Sequence, residues 1–108
     1  MTSPAIKKAV EKRSAGICEG CGTAEATEIH HRKYRSRGGL DNLGNLLHLC
    51  GWGNHTGCHG RAHSDAPPQG WSIHSWDDPL LVPAALHAGT FYLTNDGGLL
   101  PIGEIPPF

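Results

Sequence analysis

Residues 50–63 read CGWGNHTGCHGRAH and hold two cysteines and three histidines. Upstream lie a second cysteine pair, Cys18 and Cys21, and a His30-His31 dipeptide. Thiolates and imidazoles at this density are the donor set of transition metals, zinc above all. Cys18-Glu-Gly-Cys21 has the spacing of a structural zinc knuckle. Cys50 and Cys58 have seven residues between them, more than a usual second knuckle, but Gly51, Gly53 and Gly57 let that loop return to one ion. All four cysteines are then consumed in a single four-thiolate zinc site. Four thiolates leave no open coordination position, so its expected role is structural, supplying folding free energy. A thioredoxin-like redox CxxC is the other reading of the first pair, and no βαβ pattern surrounds it.

The histidines pose a separate question. His55, His59 and His63 are spaced by four and would share a face if one helix carried all three. His55 precedes the expected helix start, so the regular spacing does not extend to it. It is left out of the metal set; ligation beside the zinc, ligation of a second ion and loop capping are its alternatives. Adjacent strand residues point to opposite faces, so His30 and His31 can divide two tasks, one toward a metal and one toward a water. His48, inside LLHLC, reads as a packing or hydrogen-bonding residue, and His74 and His87 receive no role.

The elements that must position these groups are short. PAIKKAVEKRS (4–14) predicts a helix with Ser3 as cap, Pro4 in the first turn and Gly16 just past the end. Ile6 and Val10 form its apolar stripe, and Lys7, Lys8, Lys12 and Arg13 its remaining surface. A strand is expected at about 27–32, a loop with turn signals at Gly38-Gly39 and Asp41-Asn42, a second strand at NLLHLC, and a short helix over 56–64. Gly57 and Gly60 each cost that helix about 1 kcal/mol, so metal ligation is the obvious thing to hold it. SDAPPQG (64–70) reads as a linker or wall. WSIHSW alternates like a strand with Trp71 and Ile73 on one face, and TFYLTNDGGLLPI reads as a hairpin around 95–98. The fold class is small α+β in a single domain: an N-terminal helix (1–16), a zinc-stapled core (17–64) and a β-rich C-terminal extension (65–108).

Charge is divided along the chain. Residues 1–63 carry nine basic and five acidic side chains, and residues 64–108 carry five acids and no Lys or Arg. A polyanion would be met by the front half. Arg32, Lys33, Arg35 and Arg37 cluster around Tyr34 and suit backbone phosphates, the alternative being an ordinary solvated loop. Arg61 lies on the expected helix near the same place. No apolar run approaches a membrane span, so no membrane partner and a cytoplasmic setting are expected.

His31, Asn45 and His59, set at intervals of fourteen between the cysteine pairs, carry a resemblance. The run CxxC, IHHRKYRSRGGLDNLGNLLHLC and CHGRAH resembles the cysteine-flanked HNH endonucleases of bacteria and their phages. The resemblance covers about residues 15–64. It implies the ββα-metal (His-Me finger) fold, two strands and a helix around one catalytic divalent ion. By resemblance His30 is a ligand of that ion, His31 the general base, Asn45 the asparagine that bonds across the loop and holds the base, and His59 the ligand at the helix start. His63, one turn on, can meet the same ion, as in colicin-type nucleases. Asn54, beside His55, is the wrong asparagine for the pattern, because Asn45 stands before the second strand where the family places it.

The resemblance implies DNA as partner, phosphodiester hydrolysis with little sequence selectivity, and a 5′ phosphate and 3′ hydroxyl product. A non-catalytic zinc-stapled DNA-binding module is the alternative. Histidine ligation favours Mn²⁺, Ni²⁺, Co²⁺ or Zn²⁺ over Mg²⁺. A single site cuts one strand, so a double-strand break calls for a homodimer, a partner or two events, and some phage relatives act beside the terminase in packaging. Activity is expected to rise through roughly pH 6 to 7 as a histidine base loses its proton.

Overall fold

Ser3 begins the first helix by a local bond: its hydroxyl accepts from the backbone N–H of Ile6 at 3.2 Å. The computed structural model describes residues 3–53 and 55–102; Asn54 lies outside them. Helix α1 (Pro4–Ser14) has Pro at its first position and closes at Ala15, which takes the left-handed conformation at φ 57°. The expected Gly16 stop therefore falls one residue later than the actual turn. Val10 is fully buried against Leu43 and Leu46, with Ile6 alongside. Arg13 departs from the expected solvated face. It turns inward to pair with Glu19 at 2.8 Å and donates to the carbonyls of Leu43 and Leu46, tying α1 to the cysteine knuckle and to the second strand.

Strands β1 (Glu28–His31) and β2 (Leu46–Leu49) pair antiparallel, with Glu28 opposite Leu49 and His31 opposite Leu46. Each is one residue shorter at either end than expected. All four β2 residues are buried; His48 sits there with Nδ1 2.7 Å from the Ser14 hydroxyl. Helix α2 (Gly57–Ala62) follows. Its glycine start is a requirement of close packing: Gly57 has φ 59°, and a Cβ there would lie 2.7 Å from Gly51 Cα. The loop that returns from Cys50 admits no side chain at that crossing.

The C-terminal part adds a meander in the order β3 (Ala84–Leu86), β4 (Gly89–Leu93), β5 (Leu99–Pro101). The β4–β5 hairpin turns where expected, closed by Thr94, which bonds Gly98 through both backbone and hydroxyl. The expected strand over WSIHSW is absent. Those residues form turns, because the Ile73 N–H donates to the Arg32 carbonyl rather than to a strand ladder. Trp71 and Ile73 are nonetheless buried on the core. Trp71 joins Cys18, Leu47, Leu49, Cys58, Ala62, Ala84 and Leu93 in one apolar cluster, and its indole N–H bonds the Ala85 carbonyl at 2.7 Å. Among the described residues no helix is long and apolar enough to cross a membrane.

Candidate metal centres

The cysteines meet as their spacing requires. Cys18 and Cys21 flank a tight turn, closed by Gly22 N–H to Cys18 O at 2.9 Å; Cys50 follows β2 and Cys58 sits in the first turn of α2. The four sulfurs lie within 4.8 Å of one another, and none is in a disulfide. The Cys21 and Cys50 sulfurs are 3.9 Å apart. A tetrahedral ion with Zn–S bonds of about 2.3 Å sets sulfur–sulfur edges of about 3.8 Å, so the residues fit zinc or a similar thiophilic ion. Backbone N–H groups of Cys21 and Cys58 point at the sulfurs of Cys18 and Cys50, as thiolates demand. Bonds from Thr23 lower the Cys21 thiol to about 6, whereas burial pushes Cys50 and Cys58 up. A cation held by all four would supply the charge that keeps Cys50 and Cys58 ionised.

A second cluster lies on the other side of the α2 start. His30 comes from β1, His59 from the first turn of α2, and His63 from the residue that ends it; one ring nitrogen of each lies within 4.8 Å of the others. Consecutive helical residues point about 100° apart, so Cys58 and His59 serve different clusters. His59 and His63, one turn apart, share a face with Nε2 atoms 3.3 Å from each other. His30 is buried, and its Nε2 is 2.5 Å from the Trp71 carbonyl. That bond commits Nε2 as donor and leaves the Nδ1 lone pair free, the arrangement of a metal-ligating histidine with a carbonyl behind it. Nδ1 of His59 is buried with no hydrogen-bond partner among the described residues.

Burial lowers all three imidazoles, His30 to about 3, so they stand neutral with lone pairs available. Three nitrogen donors suit a first-row divalent ion and leave positions open for water or substrate. Tyr34 stacks on His63 (centroids 5.0 Å apart) and receives a bond from the Ser72 hydroxyl at its own OH. His55 is exposed and stands outside the cluster.

His31 lines the same open cleft, of about 250 Å³, with His30, Tyr34, Arg35, His59 and His63. Its Nε2 bonds the Asp41 carboxylate at 2.6 Å, and Arg35 closes the group with bonds to both Asp41 oxygens. Asp41 was legible only as a turn residue in GGLDN. The bond from His31 holds its carboxyl below the usual range, with Arg35 assisting. Asn45 does bond across the loop: Oδ1 accepts from Lys33 N–H, and Nδ2 donates to the carbonyls of Lys33 and Leu40. It does not touch His31 through any of these bonds. It clamps the 33–40 loop that carries Arg35 and leads to Asp41. That clamp is tight enough for a Cβ on Gly39 to fall 1.7 Å from the Lys33 carbonyl oxygen.

The basic residues separate. Arg32, expected to contact DNA, is fully buried. Its guanidinium donates to the carbonyls of Gly70, Gly44, Pro79 and Val82. It has no surface to offer a phosphate and instead pins the C-terminal part to the core; burial lowers it to about 10. Arg35, Arg37 and Arg61 are exposed and Lys33 is half-buried. Arg37 lies over the Tyr34 ring and donates to the Ile73 carbonyl, and Arg61 lies over Trp71. The chain matches no protein-family model, no curated protein and no solved structure.

Proposed function

We propose that this chain is a metal-dependent DNA endonuclease of the HNH type, with β1, β2 and α2 forming a ββα-metal unit stapled by zinc at Cys18, Cys21, Cys50 and Cys58. The observation that carries the reading is one cleft holding a three-histidine cluster and, beside it, a fourth histidine backed by a carboxylate. A structural zinc alone explains none of those four.

His30, His59 and His63 would hold a divalent ion, which when bound stabilises charge on the scissile phosphate and on the leaving oxygen. His31 takes the proton of the attacking water, through the ring nitrogen that Asp41 does not engage. Asp41 fixes the ring and balances the imidazolium that forms. The water oxygen bonds to phosphorus as the bond to the 3′ oxygen breaks, and that oxygen takes a proton from solvent, leaving a 5′ phosphate and a 3′ hydroxyl. Asn45 and Gly39 hold the loop that presents Arg35 to the phosphate. Phosphate contacts position the strand without reading its bases, which accords with low sequence selectivity.

Plasmid nicking tests the reading. The wild type is incubated with Mn²⁺, Ni²⁺, Co²⁺, Zn²⁺ or Mg²⁺, with an EDTA control, alongside His31→Ala. Ion-dependent nicking that His31→Ala abolishes supports it. Nicking by His31→Ala at the wild-type rate removes His31 from the mechanism. DNA binding without cleavage under any ion favours the non-catalytic DNA-binding module.

A further inference from the structure

The nuclease reading leaves one exposed aromatic pair without a task. Trp76 is 78 % exposed, although its indole lies flat on the His74 ring with centroids 4.4 Å apart and 5° between planes. One face of the indole is therefore backed and the other is open. The backing is itself anchored: His74 bonds the Asp77 carboxylate through its backbone N–H and through Nδ1, and Asp77 N–H returns to the His74 carbonyl. Trp52 is comparably exposed at 73 %, but it has no ring partner among the described residues and its neighbour Gly53 donates to the Glu28 carboxylate. Exposure alone does not distinguish the two tryptophans; the held, stacked geometry does.

The segment bearing Trp76 is wired to the cleft. Trp71 supplies the carbonyl behind His30, Ile73 bonds Arg32 through its N–H, and Arg37 donates to the Ile73 carbonyl. Lys33 lines one hollow together with Asp78, two residues on from Trp76. The platform thus rises beside a basic loop. The two nearest acids are turned onto the chain's own donors, Asp77 onto His74 and Asp78 onto the Leu80 N–H.

We propose that Trp76, backed by His74, is a stacking platform for an unpaired base of DNA, so that the chain grips a single-stranded segment next to its cleft. This rests on the nuclease reading. Every base has a π-face, so stacking on an indole holds a strand without selecting sequence, while Arg37 and Lys33 meet the adjoining phosphates. Such a site favours flaps, gaps or frayed ends over intact duplex, in which the bases are already stacked on each other.

The test measures fluorescence anisotropy of a labelled oligo-dT 12-mer and of a 12-base-pair duplex. It uses zinc-loaded full chain in the His31→Ala background without added divalent ion, so that no strand is cut. Trp76→Ala should weaken single-strand binding about tenfold and change duplex binding less than twofold, while Trp76→Phe keeps most of the affinity and Trp52→Ala changes nothing. Unchanged single-strand binding by Trp76→Ala overturns the platform, and so does equal loss on both DNA forms. Sedimentation of the wild type adds a further outcome. A dimer that Trp76→Ala dissolves, with DNA binding intact, gives this face to a second copy and overturns the proposal. A wild type that binds neither form overturns the nuclease reading as well, whereas duplex cleavage with an indifferent Trp76 leaves that reading standing.

Discussion

Arg32→Lys separates a structural cation from a DNA contact. The four carbonyls that Arg32 serves belong to residues 44, 70, 79 and 82, drawn from the turn before β2 and from the C-terminal part. Lysine keeps the charge, but its single ammonium cannot reach four acceptors spread around a planar fork. With one or two bonds retained, two or three buried carbonyls lose their donor at about 1 kcal/mol or more each. The expected loss is about 3 kcal/mol, a large part of the stability of a domain this size. Since 1 kcal/mol shifts the midpoint of such a domain by roughly 4–8 °C, zinc-loaded Arg32→Lys should melt at least about 12 °C below wild type by circular dichroism. DNA affinity, measured at a temperature where the variant is folded, should be unchanged. A variant that melts within about 2 °C of wild type and binds DNA more weakly would refute the burial argument and return Arg32 to the interface.

Further outcomes follow from the two clusters and the loop. Metal analysis by mass spectrometry should find two ions per wild-type chain, and His63→Ala should retain the ion at the four cysteines while losing the other. Cys58→Ser, or a strong chelator, should instead abolish cooperative melting, because the sulfurs join the knuckle, β2 and α2 around one point. Asp41→Ala should lower kcat for nicking about 10- to 100-fold, since it orients His31 and also anchors Arg35; an unchanged kcat would remove Asp41 from the mechanism. Gly39→Ala should cost about 1–3 kcal/mol in urea unfolding and reduce nicking, because its Cβ displaces the Lys33 carbonyl that Asn45 clamps.

Much of the candidate site was legible because its parts are defined locally. Two residues between Cys18 and Cys21 suffice for a knuckle, a four-residue step puts His59 and His63 on one helical face, and the strands expected at 27–32 and 45–50 match β1 and β2 to within a residue at each end. Asp41 escaped because its partner, ten positions away, is reached only when Asn45 draws the loop closed. WSIHSW misled for a related reason. Alternating burial reports which side chains meet the core, not whether the backbone between them finds a strand to pair with, and here the Arg32 carbonyl was the nearer acceptor.

Donor types, ligand spacing and the order strand, strand, helix were thus set by the sequence itself, since each depends on neighbours a few residues apart. Tertiary structure alone decided what each charge and ring became. Arg32 is a buried tie because carbonyls 12 to 50 residues away surround it, and His30 is oriented by a carbonyl 41 residues on. A run of basic residues has no local signal for which of its cations the rest of the chain will enclose. Desolvation and long-range hydrogen bonding make that choice only once the C-terminal part has packed down.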